Sequence, residues 1–177
     1  MDYLFGTLYW EPEPVPLNPT RTPMTRMQHQ IVIAGHPIDV LAYASTVTLW
    51  PQWHPSSLHI DGPKGPLQAG ARFEEDIRAG GREGHLRWEV AQYLPGQRWS
   101  ARAQGDHGLS LVVTYECEAL GKDTRFVRTL EYQFSGLAMR IANRLLLKRR
   151  IDRESAASMQ ALREMAQKYL VATGVNA

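Results

Sequence analysis

The sequence predicts an α+β domain in which a curved seven-stranded antiparallel sheet wraps around one long C-terminal helix, with two short helices after the first strand. Three observations carry this expectation. Residues 56–135 alternate apolar and polar side chains and are cut into short segments by Gly and Pro. Residues 138–172 contain neither Gly nor Pro and repeat apolar or small residues at helical spacing. Gly35-His36-Pro37 separates a leading strand from everything that follows.

The elements follow in order. Residues 27–34 (MQHQIVIA) alternate and end in β-branched side chains, which predicts a strand. Pro37 suits the first position of a helix and Asp39 its first turn, so residues 37–44 form a short helix. A second short turn, Thr46 to Leu49, runs into Trp50-Pro51. Gly62-Pro63, Gly65-Pro66, Gly80-Gly81, Pro95-Gly96, Gly105-Asp106 and Gly121-Lys122-Asp123 then punctuate a meander. Its strands are expected at 57–61, 71–79, 83–94, 97–104, 108–119 and 124–135. The final helix spans 138–172, with Ser135 able to cap its start and Gly174 placed to end it. Its inward stripe is expected at Ile141, Ala142, Leu145, Ala156, Met159, Leu162, Ala166 and Tyr169.

Residues 1–24 read as a separate leader before a domain at 25–174. An aromatic cluster (Tyr3, Phe5, Tyr9, Trp10) precedes Pro12, Pro14, Pro16, Pro19 and Pro23, which forbid a helix. Two readings stay open: a disordered leader, or an arm packing its aromatics on this chain or on a second subunit in a homodimer.

Bulk composition narrows the function classes. The 177 residues suit one domain with a sizeable core. A net charge of +2 does not by itself imply a nucleic-acid partner. The single cysteine, Cys117, excludes an intramolecular disulfide and suits a reducing compartment. The first ten residues lack a basic n-region and a long apolar run, so a cytoplasmic location is expected.

Specific residues then resemble a known family. Pro37-Ile38-Asp39-Val40 followed by Trp50-Pro51-Gln52-Trp53 is similar to the opening helix pair and Trp-Pro-x-Trp turn of the helix-grip superfamily. Gly62-Pro63, with Pro66-Leu67-Gln68-Ala69-Gly70-Ala71-Arg72-Phe73, is similar to the approach to its third strand. Trp88-Glu89-Val90, with Tyr93-Leu94-Pro95-Gly96, is similar to its next strand and turn. This superfamily holds the birch-pollen allergen, the StAR-related lipid-transfer domains and the polyketide cyclase/dehydrase family. The resemblance covers about residues 26–172 and implies a helix-grip fold with an interior cavity. Its motifs specify fold rather than substrate, and the leader is not part of the pattern.

Period-two alternation assigns the inner face of the sheet. It collects Phe73, Glu75 and Ile77, then Leu86, Trp88 and Val90, then Trp99, Ala101 and Ala103. The last two strands add Leu109, Leu111, Val113, Tyr115 and Cys117, then Phe126, Arg128, Leu130, Tyr132 and Phe134. Such a lining suits an apolar ligand held by a few polar anchors. Trp50, Trp53 and Trp88 bound the expected cavity, plug its end, or serve packing alone, and Phe73 is expected among the ligand-contacting residues.

Glu75 and Arg128 break the apolar face. They lie four strands apart, about 19 Å at roughly 4.8 Å per strand, so only strong curl brings them together. Left unpaired in an apolar cavity, each costs several kcal/mol. They therefore hold ordered water or a polar group of a ligand, or else they sit at strand ends and reach solvent. Tyr115 and Tyr132 carry hydroxyls that orient a ligand carbonyl, donate a proton in a cyclisation, or simply satisfy local core hydrogen bonds.

Other signals are weaker. No two of the six histidines have metal-ligand spacing, so no metal and no cofactor are expected. His54, beside the Trp-rich turn, is the histidine best placed for catalysis, against the plainer reading of a surface or cavity-mouth histidine. Arg140, Arg144, Lys148, Arg149, Arg150 and Arg153 form either a solvated helix face or a contact for anionic lipid headgroups. No aromatic platform interleaves them, which argues against nucleic acid. The functional expectation is binding or transfer of a hydrophobic small molecule such as a lipid, quinone or polyketide-like aromatic. A cyclase/aromatase or dehydratase using the same polar residues is the alternative, and a stress-response module with an incidental cavity is the third.

Overall fold

The computed structural model describes residues 24–79, 81–136 and 147–174. Strand β1 (Thr25–Ala34) is followed by helix α1 (Pro37–Ser45), a 3-10 turn (Val47–Leu49) and the short helix α2 (Trp50–Trp53). The meander comprises β2 (Ser57–Asp61), β3 (Arg72–Ala79), β4 (Arg82–Leu94), β5 (Arg98–Gly105), β6 (Leu109–Leu120) and β7 (Asp123–Phe134). Helix α3 (Lys148–Ala172) closes the fold. The expected helix start at Ala138 lies outside the described residues, so what Ser135 caps is not described, and the leader lies outside them apart from Met24.

All seven strands form one antiparallel sheet in the order β1-β7-β6-β5-β4-β3-β2. Short turns make the meander local, and the first strand then pairs along the last, Thr25 opposite Tyr132 through Ala34 opposite Asp123. Register irregularities between Val90 and Gln92, and between Ser57 and His59, add local bend.

The inner face is the one that alternation predicts. Phe73, Glu75, Leu86, Trp88, Val90, Trp99, Ala101, Ala103, Leu111, Val113, Tyr115, Phe126, Arg128 and Tyr132 are all buried. Trp50 sits at the centre, its ring 5.5–6.4 Å from those of Trp53, Phe73, Trp88, Trp99 and Tyr115. Its indole N–H donates to the Ala44 carbonyl at 2.9 Å, which ties the α2 turn to the end of α1.

The buried stripe of α3 keeps Met159, Leu162 and Ala166 of the expected one and departs from it at the flanking positions, and Ile141, Ala142 and Leu145 lie outside the described residues. Ser155, Ser158, Met159, Leu162, Ala166 and Leu170 are buried, whereas Ala156 is exposed and Tyr169 is 45% exposed. The stripe is rotated because two serines face a buried charge on the sheet, a role that hydropathy does not register. No helix among the described residues is long and apolar enough to cross a membrane.

One glycine fixes the loop leading out of β2. A Cβ on Gly62 would meet the Cβ of Phe73 at 2.6 Å, and that atom is held by the strand. Gly62→Ala is therefore expected to destabilise the protein by about 1–3 kcal/mol through overpacking. Urea unfolding checks this; an unchanged midpoint would show that the loop moves aside freely.

Candidate functional site

Between the sheet and α3 lies a cavity of about 190 Å³. One enclosed water needs only about 10–15 Å³ on this measure, so the space is not filled solid by side chains. Leu86, Leu111, Val113, Leu130, Phe134 and Ile151 supply apolar wall. The exposed Arg82, Glu83 and Asp106 lie at its rim.

Six of the eight expected site residues line this space: Trp50, Glu75, Trp88, Tyr115, Arg128 and Tyr132. Trp53 and Phe73 do not. Phe73 stacks on Trp88 with centroids 5.5 Å apart and planes at 6°, so it stands behind the wall and braces it. Trp53 is fully buried against Trp50 and His54. Both are too deep in the aromatic cluster to reach a guest.

Glu75 and Arg128 are buried, not at solvent-reaching strand ends. Their hydrogen bonds go to different partners. Glu75 accepts from the Trp88 indole N–H at 2.9 Å. Arg128 donates to Ser155 at 3.2 Å, to Ser158 at 3.0 Å and to His54 Nε2 at 2.7 Å. Each nevertheless feels the other's charge. A flat sheet would hold them about 19 Å apart, so the curl of the sheet carries β3 and β7 toward each other across the cavity.

Burial pushes the Glu75 carboxyl up to about 7, while Ser57, the Trp88 hydrogen bond and the Arg128 charge pull it back. Burial lowers the Arg128 guanidinium from its ordinary value, opposed by Tyr115 and Glu75. Burial also raises the Tyr115 hydroxyl. His54 is held well below its ordinary value, first by burial and then by the Arg128 charge.

The donor rules fix the state of His54. A guanidinium only donates, so His54 Nε2 accepts and the ring is neutral with its proton on Nδ1. That Nδ1 is buried and meets no side-chain partner, its interaction being with the residue's own backbone, and Arg128 Nε is buried without a hydrogen-bond partner. Arg128 and His54 both line the cavity, and Arg128 Nε remains a buried N–H donor without an acceptor, which costs free energy.

Sequence reasoning missed Ser155 and Ser158, because serines at helical spacing carry no signal until the partner strand is known. His54 was legible only as a neighbour of the Trp-rich turn. Of the basic stretch, Arg140 and Arg144 lie outside the described residues, while Lys148 and Arg149 are exposed on the first turn of α3.

Comparison with known proteins places this arrangement. Among solved structures the chain is similar to the Zhui aromatase/cyclase from Streptomyces sp. R1128, with a TM-score of 0.71 at 14% identity, covering 85% of this chain and 98% of that one. It is also similar to a protein from Thermus thermophilus, with a TM-score of 0.69 at 17% identity, covering 82% and 99%. A START superfamily protein from Mycobacterium smegmatis gives 0.59 at 13%, covering 84% and 98%. At these identities the likeness establishes the fold, which is helix-grip. No curated protein matches the chain in sequence. The model of the polyketide cyclase/dehydrase and lipid transport family matches residues 24–167, and the chain belongs to that family.

Proposed function

We propose that the protein binds a hydrophobic small molecule carrying one hydrogen-bond-accepting group, with that group against Arg128 and His54 and its apolar body along the β4–β7 wall. The observation that carries this reading is the position of Arg128 and His54, two polar side chains that line a mainly apolar cavity, with Arg128 Nε buried and without a hydrogen-bond partner. Burial of the ligand's apolar area at about 25 cal/mol per Å² supplies the affinity, and these two side chains supply direction. Glu75, Trp88, Tyr115, Tyr132 and Trp50 complete the lining. Exposed Lys148 and Arg149 adjoin Leu147 and Ile151, which line the cavity, so contact with an anionic lipid surface would bring a lipid to the opening.

A thermal-shift screen across fatty acids, quinones and flavonoids tests the reading. Arg128→Met is expected to weaken a carbonyl- or carboxylate-bearing ligand at least tenfold while sparing a hydrocarbon of the same shape. Equal affinity of the variant for both would remove Arg128 as the anchor.

A second reading is favoured by one observation. A carboxyl near neutrality in a mainly apolar cavity is suited to giving and taking protons at pH 7. Glu75 would then serve a cyclisation or dehydration of the bound molecule, and Glu75→Gln would abolish turnover without abolishing binding.

A further inference from the structure

A second constellation reaches the cavity from the helix side. Ser155 lines the cavity and is buried. Its Oγ is 3.3 Å from His29 Nδ1, and His29 Nε2 is 3.2 Å from Asp152 Oδ1. Asp152 and Ser155 stand three residues apart on α3 and so share a face. His29 is on β1, directly opposite Arg128 on β7.

The chemistry of the two ends orients the whole chain. Arg128 can only donate, and it donates Nη1–H to Ser155 Oγ. Asp152 Oδ1 accepts from His29 Nε2–H, and in the neutral imidazole Nδ1 is then the lone-pair nitrogen facing Ser155. In that form of the ring the serine proton is directed at His29, and a cation holds the serine oxygen. The Asp152 side chain is 54% exposed and that of His29 19%, so both reach solvent while Ser155 is buried and lines the cavity.

We propose that Ser155 is a nucleophile toward the acyl carbon of an apolar ester or thioester held in the cavity, giving the protein a hydrolytic activity. The inference rests on the reading of the cavity as a hydrophobic-ligand site and adds a reaction to it. Ser155 Oγ forms the bond to the acyl carbon while its proton passes to His29 Nδ1 and the carbonyl electron pair moves onto oxygen. The Arg128 guanidinium, which donates to Ser155 Oγ and lines the cavity, supplies the positive charge that stabilises that oxyanion. Collapse breaks the bond to the leaving alkoxide or thiolate, which takes the proton from His29. Water then adds to the acyl-serine, giving its proton to His29, and the acid leaves as Ser155 regains a proton. Asp152 acts as a positioning residue.

The test uses p-nitrophenyl hexanoate and its non-cleavable ether analogue. The wild-type protein is expected to release p-nitrophenol and to show a hexanoyl adduct that peptide mapping places on Ser155. Ser155→Ala is expected to lose the adduct and at least a hundredfold in release, and His29→Gln about a hundredfold. Ser155→Cys keeps an acylated residue at that position and serves if the alanine variant does not fold. Thermal stabilisation by the ether with no cleavage of the ester would overturn the nucleophile and leave the cavity reading intact. Stabilisation by neither compound would overturn both. An adduct elsewhere, or one surviving in Ser155→Ala, would also overturn the assignment.

Discussion

Trp50→Ala is expected to lower the stability of the protein by about 3–5 kcal/mol, a large part of the total of about 5–15 kcal/mol that a domain possesses. The indole is 3% exposed, and five aromatic rings lie within 6.4 Å of it. Its removal leaves a hole that stacked and edge-on neighbours cannot close without giving up their own contacts. The Ala44 carbonyl loses its donor as well. Trp50→Phe retains part of the ring contact and should fall between the two. Chemical unfolding measures both; a loss below about 1 kcal/mol for the alanine variant would mean that the cluster repacks.

Glu75→Gln is expected to change how stability depends on pH. The native carboxyl is raised from 4.5 to about 7, so between those values the folded state holds a proton that the unfolded state has released. Stability from this group is fully present below 4.5 and is lost as pH rises through about 7. The amide never ionises. Near pH 8 the variant should therefore exceed the wild type by on the order of 3 kcal/mol, and near pH 4 the difference should vanish. His54 runs the opposite way. Its folded value lies well below 6.5, so its contribution is present above 6.5 and is lost as pH falls toward the folded value. The wild-type profile is thus partly self-cancelling, and the variant should expose the rising limb that His54 leaves. The same offset at pH 4 and pH 8 would refute the raised carboxyl.

The strands were legible because Gly and Pro punctuate the meander and alternation is simple arithmetic. Glu75 and Arg128 stood out for the same reason, as charges in the phase of Phe73 and Phe126. What alternation cannot supply is curvature. A flat sheet separates the two charges, whereas the curled one brings each within the other's field. Nor does hydropathy tell Ala156 from Ser155 as the inward residue, since the choice depends on Arg128 offering hydrogen bonds across the core. The link from Asp152 through His29 to Ser155 joins residues 126 positions apart in the chain, and only the pairing of β1 with β7 and the seating of α3 assemble it. Phe73 shows the converse: its inward phase was read correctly, but not its depth behind Trp88, while Trp53 takes the packing role that was one of its expected readings.

A crystal structure of the protein with the tightest ligand from the thermal-shift screen addresses the binding geometry most directly. The expected density lies between the sheet and α3, with a ligand oxygen within hydrogen-bonding reach of Arg128 or His54 and the apolar body along Leu111, Val113 and Leu130. Density with the polar group at the rim among Arg82, Glu83 and Asp106, or outside the cavity altogether, would contradict it.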